Sequence, residues 1–136
     1  MESTNTKSTK SPKAKPTFPS PKEAGVEMGV GKIKQHIFFC RGPDCCQIER
    51  GEVVWKHLKD RLKTLGLSGK NGTVYRSKVD CLRICQNGPI CLVYPEGAWY
   101  HEVDEAKIDQ IIQSHCIEKK SLPDAFSINP LTEKPI

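Results

Sequence analysis

The spacing of apolar positions changes several times along this chain, and each change predicts an element. Ile33 to Phe39 (IKQHIFF) is rich in β-forming side chains and runs into Cys40, which predicts a strand. Arg41 to Arg50 holds Gly42, Pro43 and Asp44 and reads as a loop. Val54, Leu58, Leu62 and Leu65 then recur at intervals of four, four and three residues, the spacing of one helix face, and Gly66 supplies a C-terminal stop. Gly72 to Tyr75 is a short strand candidate, and Cys81 to Pro89 is a loop closed by Asn87-Gly88-Pro89. Ile90 to Tyr94 and Ala98 to His101 flank Pro95-Glu96-Gly97 as the two arms of a hairpin. Asp104 is placed to cap a helix whose Ile108, Ile111, Ile112 and His115 share a face. Beyond Cys116 no periodicity is visible. The order β-α-β-β-β-α predicts a small α/β sandwich, a sheet with helices packed on it and no large internal pocket.

The ends differ in composition from this middle. Residues 1–31 are rich in Ser, Thr, Lys and Pro, and their large apolar side chains are Met1, Phe18, Val26, Met28 and Val30. That is too little to offset an ordering entropy of about 1–2 kcal/mol per residue, so a disordered basic tail is expected. The expected division is therefore 1–31 tail, 32–116 domain and 117–136 C-terminal extension. Residues 1–34 carry seven Lys against three acidic residues, or +4 of the net charge of +5, whereas residues 35–115 balance eleven basic against ten acidic side chains. The basic balance thus describes the tail, and no aromatics alternate with its lysines as a nucleic-acid arm would require. A Ser/Thr-rich leader can be an organelle transit peptide, but this one lacks Arg and has Glu2. A cytoplasmic location is expected. No apolar run reaches the ~18–20 residues of a membrane span, and no secretory signal is recognisable.

Seven cysteines, at 40, 45, 46, 81, 85, 91 and 116, then need a reason. Without secretion a disulfide framework is not expected, and an odd number cannot pair fully within one chain. Two groups stand in loops after strand-like segments: Cys40-Arg-Gly-Pro-Asp-Cys45, a C-x4-C, and Cys81-Leu-Arg-Ile-Cys85, a C-x3-C, with 35 residues between them. Two thiolates from each loop could serve the two irons of a [2Fe–2S] rhomb. Small turn residues (Gly42, Pro43, Gly88) would let backbone N–H groups approach the sulfurs. Structural zinc prefers tighter C-x2-C knuckles, a dithiol oxidoreductase needs C-x-x-C, and plant-type ferredoxins need a C-x2-C after the first pair. Cys91, within the strand ICLVY, and Cys116 suit buried, inert thiols. Cys46 adjoins Cys45 and is the alternative to it as a ligand. His36, His57, His101 and His115 have no metal-ligand spacing, and neither cysteine loop contains a histidine, as a Rieske centre would require.

The stretch Cys81-Leu-Arg-Ile-Cys85-Gln-Asn-Gly88-Pro89-Ile-Cys-Leu-Val-Tyr94-Pro95-Glu96-Gly97-Ala-Trp99-Tyr100 closely resembles the thioredoxin-like [2Fe–2S] ferredoxins, as does the strand ending in HIFFC. The two spacings and the gap also resemble the small iron–sulfur subunit of NADH dehydrogenases. The resemblance covers residues 33–116. It implies a thioredoxin-like sandwich with a four-stranded mixed sheet flanked by helices and cluster-binding loops at one end. It also implies one [2Fe–2S] cluster per chain, ligated by Cys40, Cys45, Cys81 and Cys85, and assembly as a homodimer. The function it implies is a one-electron carrier between redox protein partners, not an enzyme, with no nucleic acid and no membrane involved. Two other readings compete: an iron–sulfur module of a larger oxidoreductase, and a cluster assembly or sensing protein. Arg41 and Arg83, beside and between the thiols, could offset cluster charge, dock an acidic partner or simply be solvated.

Overall fold

The computed structural model describes residues 17–43 and 45–130. Strand β1 (Gln35–Cys40) is central; it pairs parallel with β2 (Val74–Val79) and antiparallel with β3 (Ile90–Tyr94). A parallel pair cannot be closed by a tight turn, and helix α2 (Ile48–Thr64) supplies the crossover. It buries Val54, Leu58 and Leu62 completely. Leu65, expected on the same face, is 41% exposed, because the helix has ended and the chain turns at Gly66, φ 71°.

The hairpin forms as the sequence predicts, β3 pairing with β4 (Ala98–Tyr100). Four strands are expected, but the sheet has five, in the order β2-β1-β3-β4-β5. The fifth, Ser127–Ile128, comes from the C-terminal extension. Phe126 N–H donates to Trp99 O and Asn129 N–H to Gly97 O, both at 2.8 Å, so two carbonyls of an edge strand gain partners. Gly97 permits this approach: a Cβ there would stand 2.2 Å from Asn129 O.

One sheet face is the core. Ile37 and Phe39 of β1, Cys91 and Val93 of β3, and Ala98 and Tyr100 of β4 form one cluster with α2 and helix α3 (Glu105–Ile111). Asp104 Oδ1 accepts from Lys107 N at 2.8 Å and caps α3, which continues as a π-helical turn over Ile112–Ile117. Ile108, Ile111, Ile112 and His115 are all buried, as their spacing predicts. His115 is fully buried, with Nδ1 3.0 Å from Glu96 Oε1 and Nε2 2.6 Å from Tyr100 Oη. A carboxylate only accepts, so Nδ1 carries the proton and Nε2 takes the Tyr100 hydroxyl. Burial lowers the His115 pKa, with Glu96 opposing that shift. Leu122 N–H donates to Tyr100 Oη at 2.9 Å and ties the C-terminal extension to the same network.

The expectation of a disordered tail through residue 31 needs correction where it can be tested. Residues 1–16 lie outside the described residues, but Pro21–Met28 forms a helix, α1, followed by a 3₁₀ turn at Val30–Lys32. Its signals are local: Ser20 Oγ accepts from Glu23 N, Pro21 occupies the first turn, and Gly29 closes the helix at φ 79°. It buries no residue, which is why apolar counting missed it. Among the described residues no helix is long and apolar enough to cross a membrane.

Candidate metal centre

The register of the sheet decides where the thiols meet. Cys40, the last residue of β1, lies opposite Val79 of β2 on one side and Ile90 of β3 on the other. The loop leaving β2 at Asp80 and entering β3 at Ile90 therefore begins and ends beside Cys40. Sequence spacing alone separates the two cysteine groups by 35 residues; strand pairing removes that separation.

In the first loop the Cys40 and Cys45 sulfurs are 3.0 Å apart, and both residues are buried. Burial, reinforced by the Cys40 thiol at hydrogen-bond range, pushes the Cys45 pKa far up. Packed this way as a free thiol, Cys45 resists ionising; a bound cation would reverse that balance. Cys46 is half-buried, and its thiol donates to Arg41 O at 3.5 Å, 3.9 Å from Cys45 Sγ. Burial raises the Cys46 pKa too, opposed by the thiol of Cys45. The loop is pressed against the start of α2 at Gly51, where a Cβ would stand 2.0 Å from Arg41 O. Any side chain at 51 would push the helix away from the thiols.

In the second loop Cys81 is half-buried and Cys85 exposed, with sulfurs 3.7 Å apart. Arg83, Cys85 and Asn87 all have left-handed backbones, at φ 70°, 60° and 55°. Non-glycine residues pay roughly 1–2 kcal/mol there, least for Asn, so the surroundings must hold them. The curl they produce turns Arg83 N–H onto Cys81 Sγ at 3.2 Å. An N–H on sulfur is thus supplied by Arg83, which is not one of the small turn residues (Gly42, Pro43, Gly88) expected to allow it. Gly88 N–H instead donates to Cys45 O at 2.8 Å, across the two loops. Without a side chain it lies so close that a Cβ would stand 2.7 Å from Cys45 Cβ and 2.8 Å from Cys45 Sγ.

Around the thiols is an apolar shell in which Ile90 is buried and Val79, Leu82, Ile84 and Trp99 are partly so. Trp99 packs here, facing Leu92 across the hairpin. Arg41 is held by Glu52 at 3.2 Å and Asp80 at 3.6 Å, bracing the first loop against α2 and the second loop. Cys91 and Cys116 stand apart in the core; burial raises both pKa values, that of Cys116 to about 12. The four histidines engage elsewhere: His36 with Ser77, His57 with Asp109, His101 with Glu102, and His115 as above.

Among the described residues no three His, Cys, Asp or Glu side chains converge as a single-ion site would require. The thiols come instead as two close pairs on adjoining loops, and a two-iron rhomb takes sulfur in pairs. The fit rests on three features of the chain: soft thiols as donors, a backbone N–H on sulfur, and a glycine cradle that a Cβ would fill.

A mixed five-stranded sheet carrying paired thiol loops at the end of its central strand defines a small iron–sulfur protein on a thioredoxin-like scaffold. The family profile of the thioredoxin-like [2Fe-2S] ferredoxins matches residues 29–115, and the chain belongs to that family. A protein of Clostridium pasteurianum named "Ferredoxin, 2Fe-2S" is 30% identical over 89 residues, covering 60% of this chain and 84% of its own. Another of that name from Aquifex aeolicus is 40% identical over 35 residues, covering 26% of this chain and 32% of its own. A solved structure of a thioredoxin-like [2Fe-2S] ferredoxin from Aquifex aeolicus superposes with a TM-score of 0.60 at 23% identity, over 76% of this chain and 96% of that one. At that identity the likeness establishes the fold.

Proposed function

We propose that the protein holds one [2Fe–2S] cluster on Cys40, Cys45, Cys81 and Cys85 and carries single electrons between redox partner proteins. The observation that carries this reading is the pair of thiol pairs, 3.0 and 3.7 Å apart, on loops joined by the Gly88–Cys45 hydrogen bond. When bound, the cluster supplies one reversible electron acceptor. The chain supplies the rest. Cys40 and Cys45 sit in the dry end of the site, and Cys85 at its exposed end gives the electron a short way out. Arg83 N–H, donating to Cys81 Sγ, favours the more negative reduced state and raises the potential. Val79, Leu82, Ile84, Ile90 and Trp99 keep water from the sulfurs of Cys40 and Cys45. No acid or base is needed, because no substrate bond is made or broken.

Cys46 is the alternative to Cys45; the bond from its thiol to Arg41 O supports a loop-holding role instead. The proposal includes a homodimer as the assembled form, which sedimentation measures directly. Anaerobic purification with iron and sulfide analysis, followed by electron paramagnetic resonance of the reduced protein, tests the whole reading. About two irons and two sulfides per chain and a spin-half signal are expected. Stoichiometric zinc without sulfide would overturn it.

A further inference from the structure

An open groove of about 440 Å³ runs between α2 and the edge strand β2, lined by Glu52, Val53, Trp55, Lys56, Lys59 and Lys78. Arg76 and Lys78 alternate along β2 and so share a strand face, which brings both against the Trp55 ring, 4.9 and 5.7 Å from its centroid. Lys56 and Lys59 stand exposed on the rim. The carboxylate within the groove, Glu52, is already taken: its Oε2 lies 3.2 Å from Arg41 and 3.5 Å from Lys78. Arg76 Nε is buried and meets no acceptor among the described residues. Two cations against the indole, Arg76 and Lys78, and two lysines exposed on the rim leave the groove with more positive charge than its one carboxylate balances.

Its position links it to the thiols. Arg41, which holds Glu52, directly follows Cys40, and Lys78 pairs with Phe39, one register step from Cys40. Anything seated here lies beside the first cysteine loop.

We propose that this groove docks an acidic segment of the redox partner, its carboxylates meeting Lys56, Lys59 and Lys78 and an apolar side chain meeting the exposed Val53. The inference rests on the electron-carrier reading. A protein segment fits better than nucleic acid for two reasons. The Trp55 ring already has Arg76 and Lys78 against it and is not free to stack a base. Glu52 and Asp60 interrupt the cations, so a continuous row of phosphates would meet like charge where spaced carboxylates would not. Lys56 is held by Asp60 at 2.8 Å as an exposed i,i+4 pair, a weak bond that a partner carboxylate can replace. Inward-pointing charges also protect an edge strand from pairing with another sheet, and the experiment must separate that role from docking.

The test is a fluorescence-anisotropy titration of a labelled ten-residue polyglutamate peptide with the full-length, cluster-loaded protein at low salt. Residues 1–16 contain four lysines, so a comparison of variants carries the result. Lys56→Gln/Lys59→Gln is expected to weaken binding about tenfold, Lys56→Arg/Lys59→Arg to restore it, and Lys119→Gln/Lys120→Gln to leave it unchanged. The dock is overturned if the groove pair leaves affinity within about twofold of the parent, or if both Gln pairs weaken it equally. It is also overturned if ten-residue oligothymidylate binds more tightly than the peptide and loses that affinity in the groove variant. Iron content is recorded on the same samples. A chain that binds the peptide through the groove but takes up no cluster would remove the carrier reading and leave the acidic dock standing.

Discussion

Gly88 is pressed against Cys45: its N–H bonds the Cys45 carbonyl at 2.8 Å, and its missing Cβ would stand 2.8 Å from the Cys45 sulfur. One hydrogen bond and one absent methyl thus join two loops that belong to different strand exits. Gly88→Ala must move one loop from the other, at a cost on the order of 1–3 kcal/mol for overpacking. The expected result is a loss of at least about half of the bound iron, with the helical circular dichroism unchanged, since the core lies on the helix-covered sheet face. Full iron content in the alanine variant would refute the cradle.

The adjacent thiols can be separated in the same way. Cys45 lies 3.0 Å from Cys40 Sγ, whereas the Cys46 thiol is turned to Arg41 O. Cys45→Ser is therefore expected to abolish or strongly shift the visible absorption of the loaded protein, and Cys46→Ser to leave the spectrum near the parent. The reverse order would move the ligand by one residue.

Acidification is expected to destabilise the fold through His115. Its folded pKa lies below the ordinary 6.5 because of burial, so between the two values the unfolded chain binds more protons. Stability is complete above about pH 6.5 and falls as pH drops below it, levelling at the folded pKa. His36, also lowered by burial, acts in the same direction. Melting temperatures measured from pH 7.5 to 5 should decline in the parent and decline less in His115→Gln. That variant should also lose about 1–3 kcal/mol at neutral pH, because Tyr100 and Glu96 lose their partner. An unchanged slope would assign the effect to other groups.

The C-terminal extension is expected to matter for stability and not for the cluster. Ending the chain at Lys120 removes Leu122 N–H from Tyr100 Oη and the fifth strand from β4. Thermal unfolding of the loaded protein should shift down by several degrees, as about 1–2 kcal/mol does in a domain of this size. Iron content should stay the same. Iron loss at the parent's melting temperature would show that the extension supports the site directly.

Much of the fold is legible along the chain because its signals are local. The four-four-three spacing of α2, the Pro95-Glu96-Gly97 turn and the Asp104 cap each act within a few residues. The ending of α2 before Leu65 shows the margin of such reasoning. Helix α1 was legible too, in Ser20-Pro21-Lys22-Glu23 and Gly29, but a capped helix that buries nothing leaves no mark in an apolar count. The fifth strand was not legible: two residues have no period, and Ser127–Ile128 is a strand only because β4 offers an open edge.

By itself the sequence determined the order of the elements from β1 to α3, the inward faces of α2 and α3, and the placing of Cys91 in a strand. Those properties follow from side-chain chemistry and chain stiffness over short distances. The tertiary structure alone decided that Cys40, Val79 and Ile90 share one register, so that loops 35 residues apart meet. It also decided that Gly51 and Gly88 stand where no side chain fits, and that Arg76 and Lys78 close over Trp55. These are contacts between distant segments, set by strand pairing and close packing, and a linear pattern does not encode which neighbour will arrive.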